Sequence, residues 1–320
     1  MRLPSEPIYR DIISPNTPAH RQDLIKRIQK RIDAKLITYI SNPQHPFAQI
    51  MKQDTPLFED LLRSVSGAEE GCLMINCPGG DPNAAEKLLV MCRERFTKQF
   101  NVIVPDFAKS AATMIALGSD KILMGYLAEL GPIDPQLQVG PLPMTGQTIP
   151  ARSFIDGLDM IRKRIKEERD PPHIYLPMLS QIRPELIAIC QRAIEDSQAF
   201  AEKWLKQHML KDAPEQATMI AKLLSSGEKS HGKVIDFTEA KDVLKLNVEK
   251  IDKNSELWNE IWELYCRSIQ FLSTQHAAAK LFESETVSLT MSIEAVIVEG
   301  RRPPPTAPMR GPPPATPSPE

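Results

Sequence analysis

The sequence has no C-x-x-C, and its five cysteines (Cys72, Cys77, Cys92, Cys190 and Cys266) are scattered over 320 residues. An odd, scattered set argues against a disulfide framework and against a cysteine zinc site. Long apolar runs are absent as well. The most apolar stretches, such as 111–118, fall far short of the roughly 18 residues a membrane-spanning helix needs. Positive charge is not in excess: 39 Lys and Arg face 41 Asp and Glu, for a net charge of −2. That argues against a protein whose main task is coating nucleic acid. The N-terminal run Met-Arg-Leu-Pro-Ser-Glu-Pro has neither the apolar core nor the small-residue cleavage site of a secretory signal, so a cytoplasmic location is the expectation. Histidines His20, His45, His173, His208 and His276 have no partner at metal-ligand spacing, and neither a metal nor an organic cofactor is expected. There is no internal repeat of fixed period.

What is present reads as globular. Hydrophobic residues make up 42% and charged residues 25%, ordinary values for a folded domain. A chain this long buries roughly three quarters of its unfolded surface without help from cross-links. Residues 1–34 read as a proline-bearing arm followed by a basic helix over 20–33. That helix carries Arg21, Lys26, Arg27, Lys30 and Arg31 beside an apolar face of Leu24, Ile25, Ile28 and Ile32. Residues 36–40 form a short β-rich run, and 55–66 read as helix. From about residue 70 an α/β rhythm sets in. It runs strand 72–76, helix 82–99, strand 101–105, helix 110–118 and strand 121–124. Such short spacings predict βαβ crossovers and a mainly parallel sheet within 35–252. A helical segment at about 150–225 is broken by Asp170-Pro171-Pro172 and Arg183-Pro184. Residues 253–300 read as a long amphipathic helix over 254–280 and then a strand over 286–299. The last stretch, 301–320, holds nine prolines and reads as disordered or polyproline-like.

Two segments carry the chemistry. Ile75-Asn76-Cys77-Pro78-Gly79-Gly80-Asp81 follows one predicted strand, and Ala108-Lys109-Ser110-Ala111-Ala112-Thr113 follows the next. Each alone is ordinary, the first a turn and the second a serine at the start of a helix. Both fall just after a predicted strand, outside the carboxyl ends where such sheets bind ligands. Paired glycines let backbone N–H groups approach a ligand. A serine at a helix N-terminus gains from the positive end of the dipole, which favours an oxyanion formed on attack.

The ordered run N-C-P-G-G-D-P-N-A-A, then A-K-S-A-A-T-M-I-A-L-G-S-D-K-I, resembles the Clp-protease and signal-peptide-peptidase superfamily. The next stretch, Ala128 to Gln136, A-E-L-G-P-I-D-P-Q, resembles more specifically the serine dehydrogenase proteinase family. The resemblance is strong over about 70–140 and weaker over 230–251. It implies a ClpP/crotonase-like α/β fold with a parallel sheet core and an added helical region. It makes Ser110 the nucleophile, with Gly80 and Ala111 donating oxyanion-hole amides. Clp proteases carry a histidine about 25 residues after the serine and an aspartate later. Here position 134, 24 residues on, is an aspartate, and the later segment offers His231. Ser110, Asp134 and His231 match the Ser, Asp, His order assigned to the serine dehydrogenase proteinases. Triads recur in several chain orders, so the exchange is physically allowed.

Glu129 and Asp236 are substitutes for the carboxylate. A lysine base, as in signal peptide peptidases, would have to come from Lys109, whose side chain should diverge from its neighbour, or from Lys163 or Lys166 on an amphipathic helix. The resulting expectation is a serine peptidase acting on peptide or protein, homo-oligomeric, with no nucleic-acid partner. Two other readings stand beside it. One is an inactive scaffold of the same fold, suggested by the displaced histidine. The other is a crotonase-type acyl-CoA enzyme, which would not need Ser110.

Overall fold

The computed structural model describes residues 8–9, 16–139, 147–180, 182–226, 233–275 and 277–292. Its helices are α1 (Pro18–Ile32), α2 (Asp54–Arg63), α3 (Pro82–Arg95), α4 (Ala111–Leu117), α5 (Ala151–Lys166), α6 (Leu176–Leu179), α7 (Pro184–Gln207), α8 (Pro214–Ser225) and α9 (Glu256–Thr274). The strands are β1 (Lys35–Ser41), β2 (Glu70–Asn76), β3 (Gln99–Val104), β4 (Phe107–Ala108), β5 (Lys121–Met124), β6 (Glu129–Leu130), β7 (Gln136–Val139), β8 (Gln147–Pro150), β9 (Val248–Lys250), β10 (Ala278–Glu283) and β11 (Ser288–Ser292). Seven of them form one sheet in the order β11-β10-β1-β2-β3-β5-β9. The run from β1 to β9 is parallel, and β10 and β11 extend it antiparallel beside β1. This is the mostly parallel α/β architecture expected from the sequence.

The period-2 alternation of the strands divides the core between two layers of helices. Leu73, Ile75 and Cys77 join Phe58, Leu88, Leu89 and Ile115 on the face covered by α2, α3 and α4. Cys72 and Met74 join Leu24, Ile28, Ile261 and Leu264 on the opposite face, under α1 and α9. Each fully buried Leu, Ile or Phe contributes roughly 1.5–3 kcal/mol, so strands buried on both faces read as continuous apolar runs.

The helix starts follow local rules. Pro82 opens α3 behind Asp81, whose carboxylate accepts from Asn83 N (2.8 Å) and Ala84 N (3.4 Å). Beyond β2 and β3 the two segments stay bonded. Cys77 N donates to Phe107 O (3.2 Å), and Lys109 N donates to Cys77 O (3.1 Å). That pairing carries the glycine turn alongside Ser110.

Two expectations are corrected. The helix read through 99 stops at Arg95, because Gln99 is already in β3. The long helix read through 280 ends at Thr274, and Ala278–Glu283 forms β10. Pairing with β1 (Ser41 opposite Lys280, Tyr39 opposite Phe282) overrides the helix-favouring run Ala277-Ala278-Ala279-Lys280. The proline-rich stretch 301–320 lies outside the described residues.

Candidate active site

Ser110 sits on the turn between β4 and α4 with φ 50° and ψ −117°. A non-glycine residue there costs about 1–3 kcal/mol, held in place by its surroundings. A sharp strand-to-helix turn of this kind presents a serine hydroxyl at the top of the sheet. Its carbonyl accepts from Met114 N (3.0 Å), so its backbone starts the helix, and its side chain makes no cap bond.

The two glycines are dictated by close packing. A Cβ on Gly79 (φ 113°) would lie 2.7 Å from Ser110 Cβ and 2.9 Å from Lys109 O. A Cβ on Gly80 (φ 143°) would lie 2.3 Å from Ile50 O and 2.4 Å from Ile50 N. Ile50 grips the turn from its other side: Ile50 N donates to Gly79 O (2.7 Å), and Asp81 N donates to Ile50 O (2.9 Å). In that parallel bridge the Gly80 N–H points away from Ile50. Ala111 is the first residue of α4, where amides have no intrahelical acceptor. Among the described residues neither amide donates to a backbone carbonyl.

Ser110, Gly80, Ala111, Met114, Asp134 and Ser197 line one cavity of about 750 Å³. It shares Pro82, Met114, Pro135, Ala193 and Ser197 with a second hollow of about 600 Å³ along α7. Asp134 is 1% exposed, and its Oδ2 accepts from Gln136 Nε2 at 2.9 Å. The helix that follows Ser110 is tied to Asp134's segment by Thr113. Its buried hydroxyl donates to Ala108 O (2.7 Å) and accepts from Gly131 N (3.1 Å).

His231 lies outside the described residues. The chain on both sides of it is anchored beside Asp134's segment. Ile133 N donates to Leu224 O (3.0 Å), and Leu130 and Ile235 exchange bonds of 2.9 and 3.0 Å.

The substitutes are occupied elsewhere. Glu129 pairs with Lys109 Nζ at 2.8 Å, and the same ammonium donates to Leu130 O at 3.2 Å. The Lys109 side chain is therefore committed to β6, diverging from Ser110 as its adjacency in sequence implied. Asp236 is exposed and caps the next turn, accepting from Glu239 N at 2.8 Å. Lys163 and Lys166 are on the solvated face of α5, Lys163 4.0 Å from Glu167. No group of three or more metal-ligating side chains is found among the described residues.

Sequence reasoning missed the walls of the site. Gln49 and Ile50, before α2, and Ala193 and Ser197, on α7, carry no motif that marks them. Ser197 could have been found only as one buried position on a helix of alternating character.

The fold and this turn define a ClpP-like serine hydrolase architecture: a parallel sheet whose neighbouring strand ends bring a strained serine against a glycine pair. The chain belongs to the ClpP-like SDH-type serine proteinase family, whose pattern matches residues 12–281. It is 27% identical over 231 residues to the uncharacterized protein MJ1495 of Methanocaldococcus jannaschii, covering 71% of this chain and 66% of that one. It is 32% identical over 188 residues to MJ0137 of the same organism, also uncharacterized, covering 58% of this chain and 57% of that one. The chain thus spans less than two thirds of the length of these relatives. Among solved structures it is similar to the 1510-N membrane-bound stomatin-specific protease, with 18% identity, 63% of this chain and 75% of that chain covered, and a TM-score of 0.38. It is also similar to the ClpP protease catalytic domain of Plasmodium falciparum, with 12% identity, 76% and 94% covered, and a TM-score of 0.35. No helix among the described residues is long and apolar enough to cross a membrane.

Proposed function

We propose that this chain is a serine peptidase that works by acyl transfer through Ser110. The observation that carries the reading is the strained Ser110 turn, packed on Gly79 and opening into the cavity that Asp134 also lines. In the proposed reaction Ser110 Oγ attacks the scissile carbonyl. His231 takes the hydroxyl proton and returns it to the leaving amine, and Asp134 holds the imidazole in the productive tautomer. The Gly80 and Ala111 amides bind the oxyanion. Support for His231 is the anchoring of its flanks at Leu224 and Ile235 against residues 130–133, one step from Asp134. Support for a peptide or protein substrate is the continuation of the cavity into the hollow along α7, which gives room for residues beyond the scissile bond. The homo-oligomer implied by the family resemblance belongs to the same reading and is tested by sedimentation of the full chain.

The test is labelling by a fluorophosphonate probe, comparing wild type with Ser110→Ala, His231→Ala and Asp134→Asn. Wild type should label on Ser110, and Ser110→Ala should not label. Loss of a triad member should slow the reaction by ~10⁴-fold or more. An unlabelled wild type overturns the peptidase reading in favour of a scaffold. Labelling of His231→Ala at the wild-type rate overturns the base assignment alone.

A further inference from the structure

A second polar cluster, fully buried, lies behind the glycine turn. Asp54 and Lys280 are both 0% exposed and are joined by a 2.6 Å bond from Nζ to Oδ1. Asp54 Oδ2 accepts from Tyr39 hydroxyl (2.7 Å) and from Met51 N (2.9 Å), and Asp54 N donates back to Met51 O (3.0 Å). Met51 is the residue after Ile50, whose N–H and carbonyl hold Gly79 and Asp81. One carboxylate thus holds the short segment before α2, and that segment pairs with the turn bearing the Gly80 amide. An ion pair this deeply buried gains little net stability, because desolvation cancels most of the attraction. Its geometry, three donors converging on one carboxylate that holds the 50–51 segment, therefore calls for a different account.

We infer that Asp54, oriented by Lys280 and Tyr39, is a positioning residue that sets the Gly80 amide through Met51 and Ile50. It touches no substrate. The inference rests on the peptidase reading for its catalytic consequence but not for the mechanical coupling itself. A 1 Å displacement of an oxyanion donor costs up to about 100-fold in rate, so a loosened 50–51 segment should be felt at Ser110.

The experiment separates charge burial from positioning by using two neutral double variants of the full-length chain. Asp54→Asn with Lys280→Met keeps an acceptor for Met51 N–H. Asp54→Leu with Lys280→Met removes it while filling the space. Replacing a buried pair by apolar groups of similar size is often tolerated, so both should fold, checked by their melting temperatures. Two readouts follow: the rate of fluorophosphonate labelling, and hydrogen exchange in the peptide spanning the glycine turn.

The leucine variant should label at least about tenfold more slowly. Exchange at Asp81 N–H should rise by about tenfold, with β2 and β3 unchanged. The asparagine variant should recover both to within about threefold of wild type. Unchanged exchange in the leucine variant overturns the inference, whether or not the protein labels. Faster exchange confined to the turn in a protein whose wild type never labels would uphold the coupling and overturn the peptidase reading. Faster exchange with an unchanged labelling rate would overturn the positioning role. A leucine variant that fails to fold shifts the test to Tyr39→Phe, which removes one bond orienting Asp54. Wild-type exchange and labelling in that variant would count against the inference.

Discussion

At Gly80 the difference between a hydrogen and a methyl decides whether the turn can close on Ile50. A Cβ would fall 2.3 Å from the Ile50 carbonyl oxygen, a backbone atom with nowhere to retreat, on a residue at φ 143°. Gly80→Ala should therefore move the turn. It should lose about 1–3 kcal/mol of stability through backbone strain and slow fluorophosphonate labelling by about 100-fold or more. Wild-type labelling by that variant would show that the Gly80 amide is not used. Thr113 is the second residue where one atom matters. Its hydroxyl is the acceptor for Gly131 N, between α4 and the segment of Asp134. Thr113→Val keeps the shape and strands that N–H, which should cost about 1–3 kcal/mol in urea unfolding. Thr113→Ser should restore most of it. Equal stability of the valine and serine variants would remove Thr113 from the account.

At the scale of elements, α7 supplies one wall of the cavity at the ends of the central strands β2 and β3. Ala193 is half-buried on α7, and it lines both the Ser110 cavity and the hollow beside it. Ala193→Trp should fill that shared space. The expected result is labelling by a small fluorophosphonate within a few-fold of wild type, with loss of labelling by a probe carrying a peptide-sized group. Equal labelling by both probes would show that substrate does not run along α7. This wall was not legible in the sequence. Periodicity marks which face of a helix is apolar, but not what that face packs on. The strand–turn–helix units around Gly80 and Ser110 were legible, because their turn chemistry and their apolar runs lie within a few residues of each other. β10 was not, because its strand state comes from pairing with β1 across more than 230 residues. The role of Lys280 went unseen for the same reason. In the linear chain it closes a run of helix formers, and in the fold it stands opposite Ser41 beneath α2. Of the candidate triad, Ser110 and Asp134 lie on one cavity, while His231 entered the reading through the family resemblance and its chain order.

At the scale of the whole molecule, one acid-sensitive point is expected away from Ser110, at the end of α7. Arg93 donates to Gly118 O (2.9 and 2.6 Å) at the far end of α4 and to both oxygens of Asp120 (2.9 and 3.1 Å). His208, the residue that ends α7, stacks on Trp204 and reaches to 3.9 Å from Asp120. Burial first, and the Arg93 charge second, push the His208 pKa down to about 4, with Asp120 opposing them. A histidine in the unfolded chain takes its proton near pH 6.5. Between pH 6.5 and about 4 the unfolded state therefore binds more protons than the folded one. Stability should fall as pH drops through that window and level off below it. The contribution is present in full only above pH 6.5. His208→Phe keeps an aromatic stack on Trp204 and has no proton to gain. Its melting temperature should decline less than that of wild type between pH 7 and 4. Parallel declines would place the acid sensitivity in the carboxylates instead.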